Sequence, residues 1–130
     1  MDDNGFGTWS RYCEEYIPCG SRVTCSPPPQ DTDEDYLVLV PTAKLPQLFQ
    51  DLKDSGWELG GSASNRDSAH LSGFTSWTRG RFNLILTANP LFYAKFRLAT
   101  GVSRALNIMD KRHRIVLFQA ILYGQSPDEA

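Results

Sequence analysis

The segment Asp33-Glu34-Asp35-Tyr36-Leu37-Val38-Leu39-Val40 passes from charge to unbroken apolar side chains with no turn between. A short Val- and Leu-rich run of this kind reads as a buried strand, here from Asp35 to Pro41, and the rest of the fold must supply its cover. In an extended chain the side chains alternate faces, so Asp33 and Asp35 point one way and Glu34 the other. Two carboxylates placed about 6 to 7 Å apart at a strand's entry can share a hard cation such as Mg²⁺. Asp31 extends the acidic cluster upstream.

Before this cluster comes Gly20-Ser21-Arg22, then a loop through Pro27, Pro28 and Pro29. Backbone N–H groups in a Gly-Ser turn can cradle a phosphate. Gly-Ser, a gap of about ten residues (Thr24 to Asp33), and Asp33-Glu34-Asp35 running into Tyr36-Leu37-Val38 together resemble the nucleotidyltransferase superfamily, the DNA polymerase β-like fold. The resemblance implies an α+β chain with the minimal nucleotidyltransferase fold, a small mixed β-sheet packed with helices. It implies Mg²⁺ on Asp33 and Asp35, and NTP phosphates at Gly20, Ser21 and Arg22. It also implies a later strand beside the Asp-x-Asp strand that presents a third carboxylate, and Asn83 stands at that place. An amide oxygen can ligate a hard cation, but it is a poor base and brings no charge. The pattern also lapses after Arg22, where Val23-Thr24-Cys25 replaces the family's small residue, Arg and Gly.

The chain has 130 residues with 41% hydrophobic and 22% charged side chains, which suits one soluble domain spanning 1–130. Residues 1–7 and 125–130 read as loose tails. No apolar run approaches the roughly 20 residues that cross a bilayer, and MDDNGFGTW lacks the form of a signal peptide, so no membrane role and a cytoplasmic location are expected. Cys13, Cys19 and Cys25 lack a Cys-x-x-Cys pair and read as reduced thiols. The formal charge of −2 conceals an asymmetry. Eight acids and two bases fall in residues 1–35, while eight bases and Asp110 alone fall in 79–114. Carboxylates for a cation and bases for phosphates are what a nucleotide site needs, and Arg79, Arg81, Lys111 and Arg114 are candidates beside the default of solvation. His70 and His113 have no partner at useful spacing. With a negative net charge and no recognition helix, nucleic acid is not an expected partner.

Along the chain, Thr8 reads as the cap of a helix carrying Trp9, Tyr12, Cys13 and Tyr16 on one face, ended by Pro18. Ile17 to Cys19 is a thin candidate for the strand that precedes the Gly-Ser turn. Thr42 reads as the cap of a helix from Ala43 to Asp54 with Leu45, Leu48, Phe49 and Leu52 inward. Trp57-Glu58-Leu59 is a short strand, and Gly60 to Ala69 is a polar surface loop. Leu71–Thr78 and Phe82–Thr87 make a hairpin across Arg79-Gly80-Arg81, with Gly80 at φ > 0. Asn89-Pro90 opens a long helix through Leu106, Asn107 to Asp110 breaks it, and Lys111 to Tyr123 is a last helix, apolar over much of its girth and expected to be well buried.

The C-terminal portion is similar to small nucleotidyltransferase-like proteins of bacteriophage genomes. That likeness implies a host protein as partner and the host cytoplasm as location. Two functions stay open. Asn83 and the lapse after Arg22 favour a degenerate nucleotidyltransferase-like protein that acts by binding a partner protein or a nucleotide. The alternative is an active Mg²⁺-dependent enzyme that moves an NMP from an NTP to a hydroxyl acceptor, with Asp33, Asp35 and Asn83 as its catalytic set.

Overall fold

A computed structural model describes residues 5–25, 33–60 and 74–123. In order, the elements are α1 (Phe6–Trp9), β1 (Glu15–Cys19), α2 (Ser21–Thr24), β2 (Glu34–Leu39), a 3-10 turn (Thr42–Lys44), α3 (Leu45–Asp54), β3 (Glu58–Gly60), β4 (Phe74–Arg79), β5 (Phe82–Thr87), α4 (Pro90–Leu106) and α5 (Lys111–Tyr123). The strands form one mixed sheet in the order β1-β2-β5-β4-β3. β2 and β5 are parallel, and the other neighbours are antiparallel.

The acidic-to-apolar run is an interior strand, as its composition demands. Leu37, Val38, Leu39 and Val40 are all buried, and alternation sends them to two different layers. Val38 and Val40 join Trp9, Leu48, Leu52, Trp57 and Trp77 beneath α1 and α3. Leu37 and Leu39 join Phe92, Tyr93, Phe96 and Leu122 beneath α4 and α5. β2 ends at Leu39, although Val40 still donates its N–H to the Thr87 carbonyl at 2.8 Å. Pro41 has no N–H and cannot continue the ladder.

The hairpin forms, with β4 described from Phe74 and running through Arg79, one residue further than expected; residues 71–73 of the expected strand lie outside the described residues. Arg79 pairs with Phe82, leaving Gly80 and Arg81 as a two-residue turn with Gly80 at φ 61. A glycine at the first central position matches the right-handed twist of the two strands. Asn89 caps α4, its Oδ1 accepting N–H bonds from Leu91 at 3.0 Å and Phe92 at 3.3 Å, with Pro90 as the first helical residue.

Four expectations need correction. The first helix is a single turn, Phe6–Trp9, capped by Gly5, because Tyr16 is already in β1. The strand there is longer than Ile17–Cys19 and includes Pro18, which an edge strand tolerates. Thr42 makes no side-chain cap bond; it starts the 3-10 turn, and α3 proper begins at Leu45 with Pro46 in its first turn. α5 is buried fully only at Leu122, with Ile115, Leu117, Phe118 and Ile121 half-buried and Val116 exposed. Among the described residues α4 is its main neighbour, and one helix cannot cover a helix that is apolar on more than one side. Residues 1–4, the triple-proline stretch 26–32, residues 61–73 with His70, and the residues after Tyr123 lie outside the described residues; of the expected N-terminal tail 1–7, Gly5 caps α1 and Phe6 and Gly7 lie in it.

Candidate functional site

Three strand ends meet at one point: the exit of β1, the entry of β2 and the entry of β5. The antiparallel register sets Cys19 opposite Asp35, and the parallel register sets Asn83 opposite Asp35 on the other side. The Asn83 Nδ2 amide donates to Asp35 Oδ1 at 2.8 Å and to Asp33 Oδ2 at 3.0 Å. Carboxylates only accept, so the amide turns its NH₂ to both and holds the two acids together. The sequence-derived trio Asp33, Asp35 and Asn83 is therefore one cluster, on the face of the sheet that carries α4 and α5.

The two acids differ in setting. Asp33 is exposed, whereas Asp35 is largely covered. Burial raises the Asp35 carboxyl, the Asn83 hydrogen bond opposes this and the charge on Asp33 adds to it, leaving it at about 6. Burial also drives the neighbouring Cys19 thiol well up, with the Asp35 charge adding to it. Cys19 and Cys25 are buried and Cys13 is half-buried, and none is bonded to another.

Gly20 is adjacent for a reason the sequence does not disclose. It sits at φ 79, and a Cβ built on it would overlap Asp35 Oδ2 and lie 2.9 Å from Asp35 Cγ. Only a residue without a side chain lets the carboxylate pass this close to the backbone. α2 starts directly after it, with Val23 and Thr24 N–H groups bonding back to the Gly20 carbonyl at 3.0 Å. Arg22 is half-buried on α2; the Ser21 side chain lies outside the described residues.

Most of the basic phosphate candidates have other engagements. Arg79 lies over the Trp57 ring, 5.0 Å from its centroid, and donates to the Ser55 carbonyl. Arg81 pairs with Glu34 at 3.0 Å. Arg114 Nη1 donates to the carbonyls of Ile108 at 3.0 Å and Met109 at 2.7 Å and approaches Cys25 Sγ at 3.2 Å. It ties the α4–α5 junction to the end of α2, a role that spacing along the chain could not reveal. Lys111 and His113 are exposed.

Asp33 and Asp35 are the residues here that could hold a hard cation. Asp35 is a covered carboxylate facing a second carboxylate, with only a neutral amide between them, and a cation there would relieve both burial and repulsion. Among the described residues no group of three or more His, Cys, Asp or Glu side chains gathers round one point.

No protein-family model matches the chain, and no curated protein matches it. Among solved structures it is similar to the conserved protein GrpB from Enterococcus faecalis. The TM-score is 0.51, the identity 15%, and the match covers 92% of this chain and 86% of that one. The likeness is one of fold. The chain is α+β, with a five-stranded mixed sheet packed with helices, an architecture consistent with a minimal nucleotidyltransferase-like fold. No helix among the described residues is long and apolar enough to cross a membrane.

Proposed function

We propose that the chain is a degenerate nucleotidyltransferase-like protein that acts by binding a nucleotide or a partner protein rather than by transferring a nucleotidyl group. The observation that carries this is the Asn83 amide, which donates to both Asp33 and Asp35. It supplies from within the chain part of the compensation that bound cations otherwise give an acid cluster. It also stands where an attacking hydroxyl would need a base, and a side-chain amide has no basic site at neutral pH.

Asp33 and Asp35 would hold one Mg²⁺, the exposed Asp33 presenting it to a polyphosphate and the covered Asp35 fixing it to the sheet. A cation held there would neutralise phosphate charge. Gly20 keeps the backbone clear of Asp35, and Asn83 keeps the two carboxylates oriented, so the chain offers a prepared single-cation site. One observation favours the active alternative: Asp33 is exposed, so a metal-nucleotide can reach the pair from solvent.

Calorimetric titration of ATP, GTP, CTP and UTP with Mg²⁺, on wild type and on Asp33→Ala/Asp35→Ala, tests the site. A pyrophosphate-release assay runs alongside it with hydroxyl-bearing acceptors. Mg²⁺-dependent binding that is lost in the double variant, without pyrophosphate release, is the expected result for a nucleotide binder. Absence of nucleotide binding by the folded wild type moves the role to a partner protein. Pyrophosphate release that depends on Asp33 and Asp35 overturns the proposal in favour of the enzyme.

A further inference from the structure

α4 is apolar on two sides, and among the described residues only one of them is covered. Phe92, Tyr93, Phe96, Ala99, Thr100 and Ser103 are buried toward the sheet and α5. At 3.6 residues per turn, Leu91, Ala94, Leu98, Gly101 and Ala105 fall on the opposite side, and all are exposed. Leu91 is 61% and Leu98 58% exposed, and Leu106 at the helix end is 65% exposed. At 1.5 Å per residue this face runs for about 21 Å, the length of an ordinary partner helix. A solvated helix face normally carries charge, so an apolar stripe of this length indicates a surface that something covers.

The charges around the stripe select the occupant. Lys95 lies along one flank, and Arg97 and Arg104 lie along the other. α4 and α5 contain no acid. Arg97 reaches Glu15 at 3.8 Å, but both side chains are more than half exposed, so this pair is loose. A second copy packed on the same face would set like charges against one another. A bilayer would be met by a face without an aromatic side chain, whereas membrane-surface helices present Trp or Phe. The open space over Gly101, where an added Cβ would meet nothing within 4 Å, leaves room for a side chain from a partner.

We propose that the outer face of α4 docks an acidic amphipathic helix of a partner protein, with Leu91 and Leu98 as the apolar anchors and Lys95, Arg97 and Arg104 pairing with its carboxylates. None of the aspartate-site residues takes part, so the proposal is independent of whether a nucleotide binds there.

The test is fluorescence anisotropy on the full chain with a labelled helical peptide carrying leucines at a and d positions and glutamates elsewhere. A peptide with lysines in place of the glutamates, and phosphatidylglycerol vesicles, serve as competitors for the assignment. The expected result is saturable binding of the acidic peptide that weakens at least about tenfold in Leu98→Glu, as truncation of a central anchor does. Arg104→Glu weakens it as well, and raised salt weakens it in wild type. Leu98 and Arg104 are exposed, so both variants should keep the wild-type circular dichroism spectrum. Equal binding of the two peptides, indifference to Leu98→Glu, or vesicle binding without acidic-peptide binding overturns the proposal. So does a dimer that Leu98→Glu abolishes.

Discussion

Asp35 is the residue at which the fold bears a cost for its site, and Asp35→Asn measures that cost. Burial lifts its carboxyl from an ordinary value of 3.8 to about 6. A gap of roughly two pH units, at about 1.4 kcal/mol each, corresponds to about 3 kcal/mol. Below pH 3.8 the group is protonated in both folded and unfolded chains and costs nothing. Between 3.8 and about 6 the unfolded chain releases the proton while the folded one keeps it, so stability falls as pH rises. Above about 6 both forms are ionised and the full penalty remains. Asn at this position never ionises, has nearly the same shape, and still offers an oxygen to the Asn83 N–H. In EDTA, urea unfolding should therefore show the variant more stable than wild type by up to about 3 kcal/mol at pH 8, with the advantage shrinking towards pH 4. Asp33→Asn, which removes the like charge, should shift the wild-type pH dependence to lower pH. A difference that is constant with pH, or a wild type that is the more stable protein at pH 8, would show that Asp35 is not desolvated and would refute the account of the site.

Gly20→Ala should lower stability by more than the roughly 1–2 kcal/mol of a left-handed backbone alone, because its Cβ meets Asp35; in an Asp35→Gly background the loss measured by urea unfolding should shrink towards that backbone value. Asn83→Asp replaces a shared donor with a third carboxylate, so the apoprotein should lose at least about 1 kcal/mol at pH 8. The same variant should gain more from Mg²⁺ in a thermal melt than wild type does, and an equal response would contradict the single-cation site. Gly101→Ala should stabilise the protein by about 0.5–1 kcal/mol, since its Cβ enters open space in mid-helix; a loss of stability would place something against that face within the chain itself.

Much of this was legible because the relevant signals are local. The run from Asp35 to Val40 names an interior strand by composition, Arg79-Gly80-Arg81 names a turn by glycine's tolerance of positive φ, and Asn89-Pro90 names a helix start by a cap and a missing N–H. The errors came where one periodicity served two elements. Trp9, Tyr12 and Tyr16 keep helical spacing, yet Tyr16 is in a strand, because pairing along β2 outweighs the weak preference of a short helix. In α5 the apolar girth suggests burial, although among the described side chains only Leu122 is fully buried.

The candidate site shows the same division. The position of Asn83 beside Asp35 followed from the expected neighbouring strand, and the parallel register puts it there. What Asn83 does could not be read, since donation to two carboxylates depends on side chains brought together from 48 and 50 residues away. Gly20 makes the point most sharply. In the sequence it reads as the opening of a phosphate turn, and in the fold it also provides the clearance that Asp35 needs. The pairing of glycine with the second aspartate is thus a steric requirement that holds with or without a nucleotide. A chain that gave up transfer chemistry would still have to keep both residues, or lose both together, and the Gly20–Asp35 double-variant comparison separates that structural coupling from any role in binding.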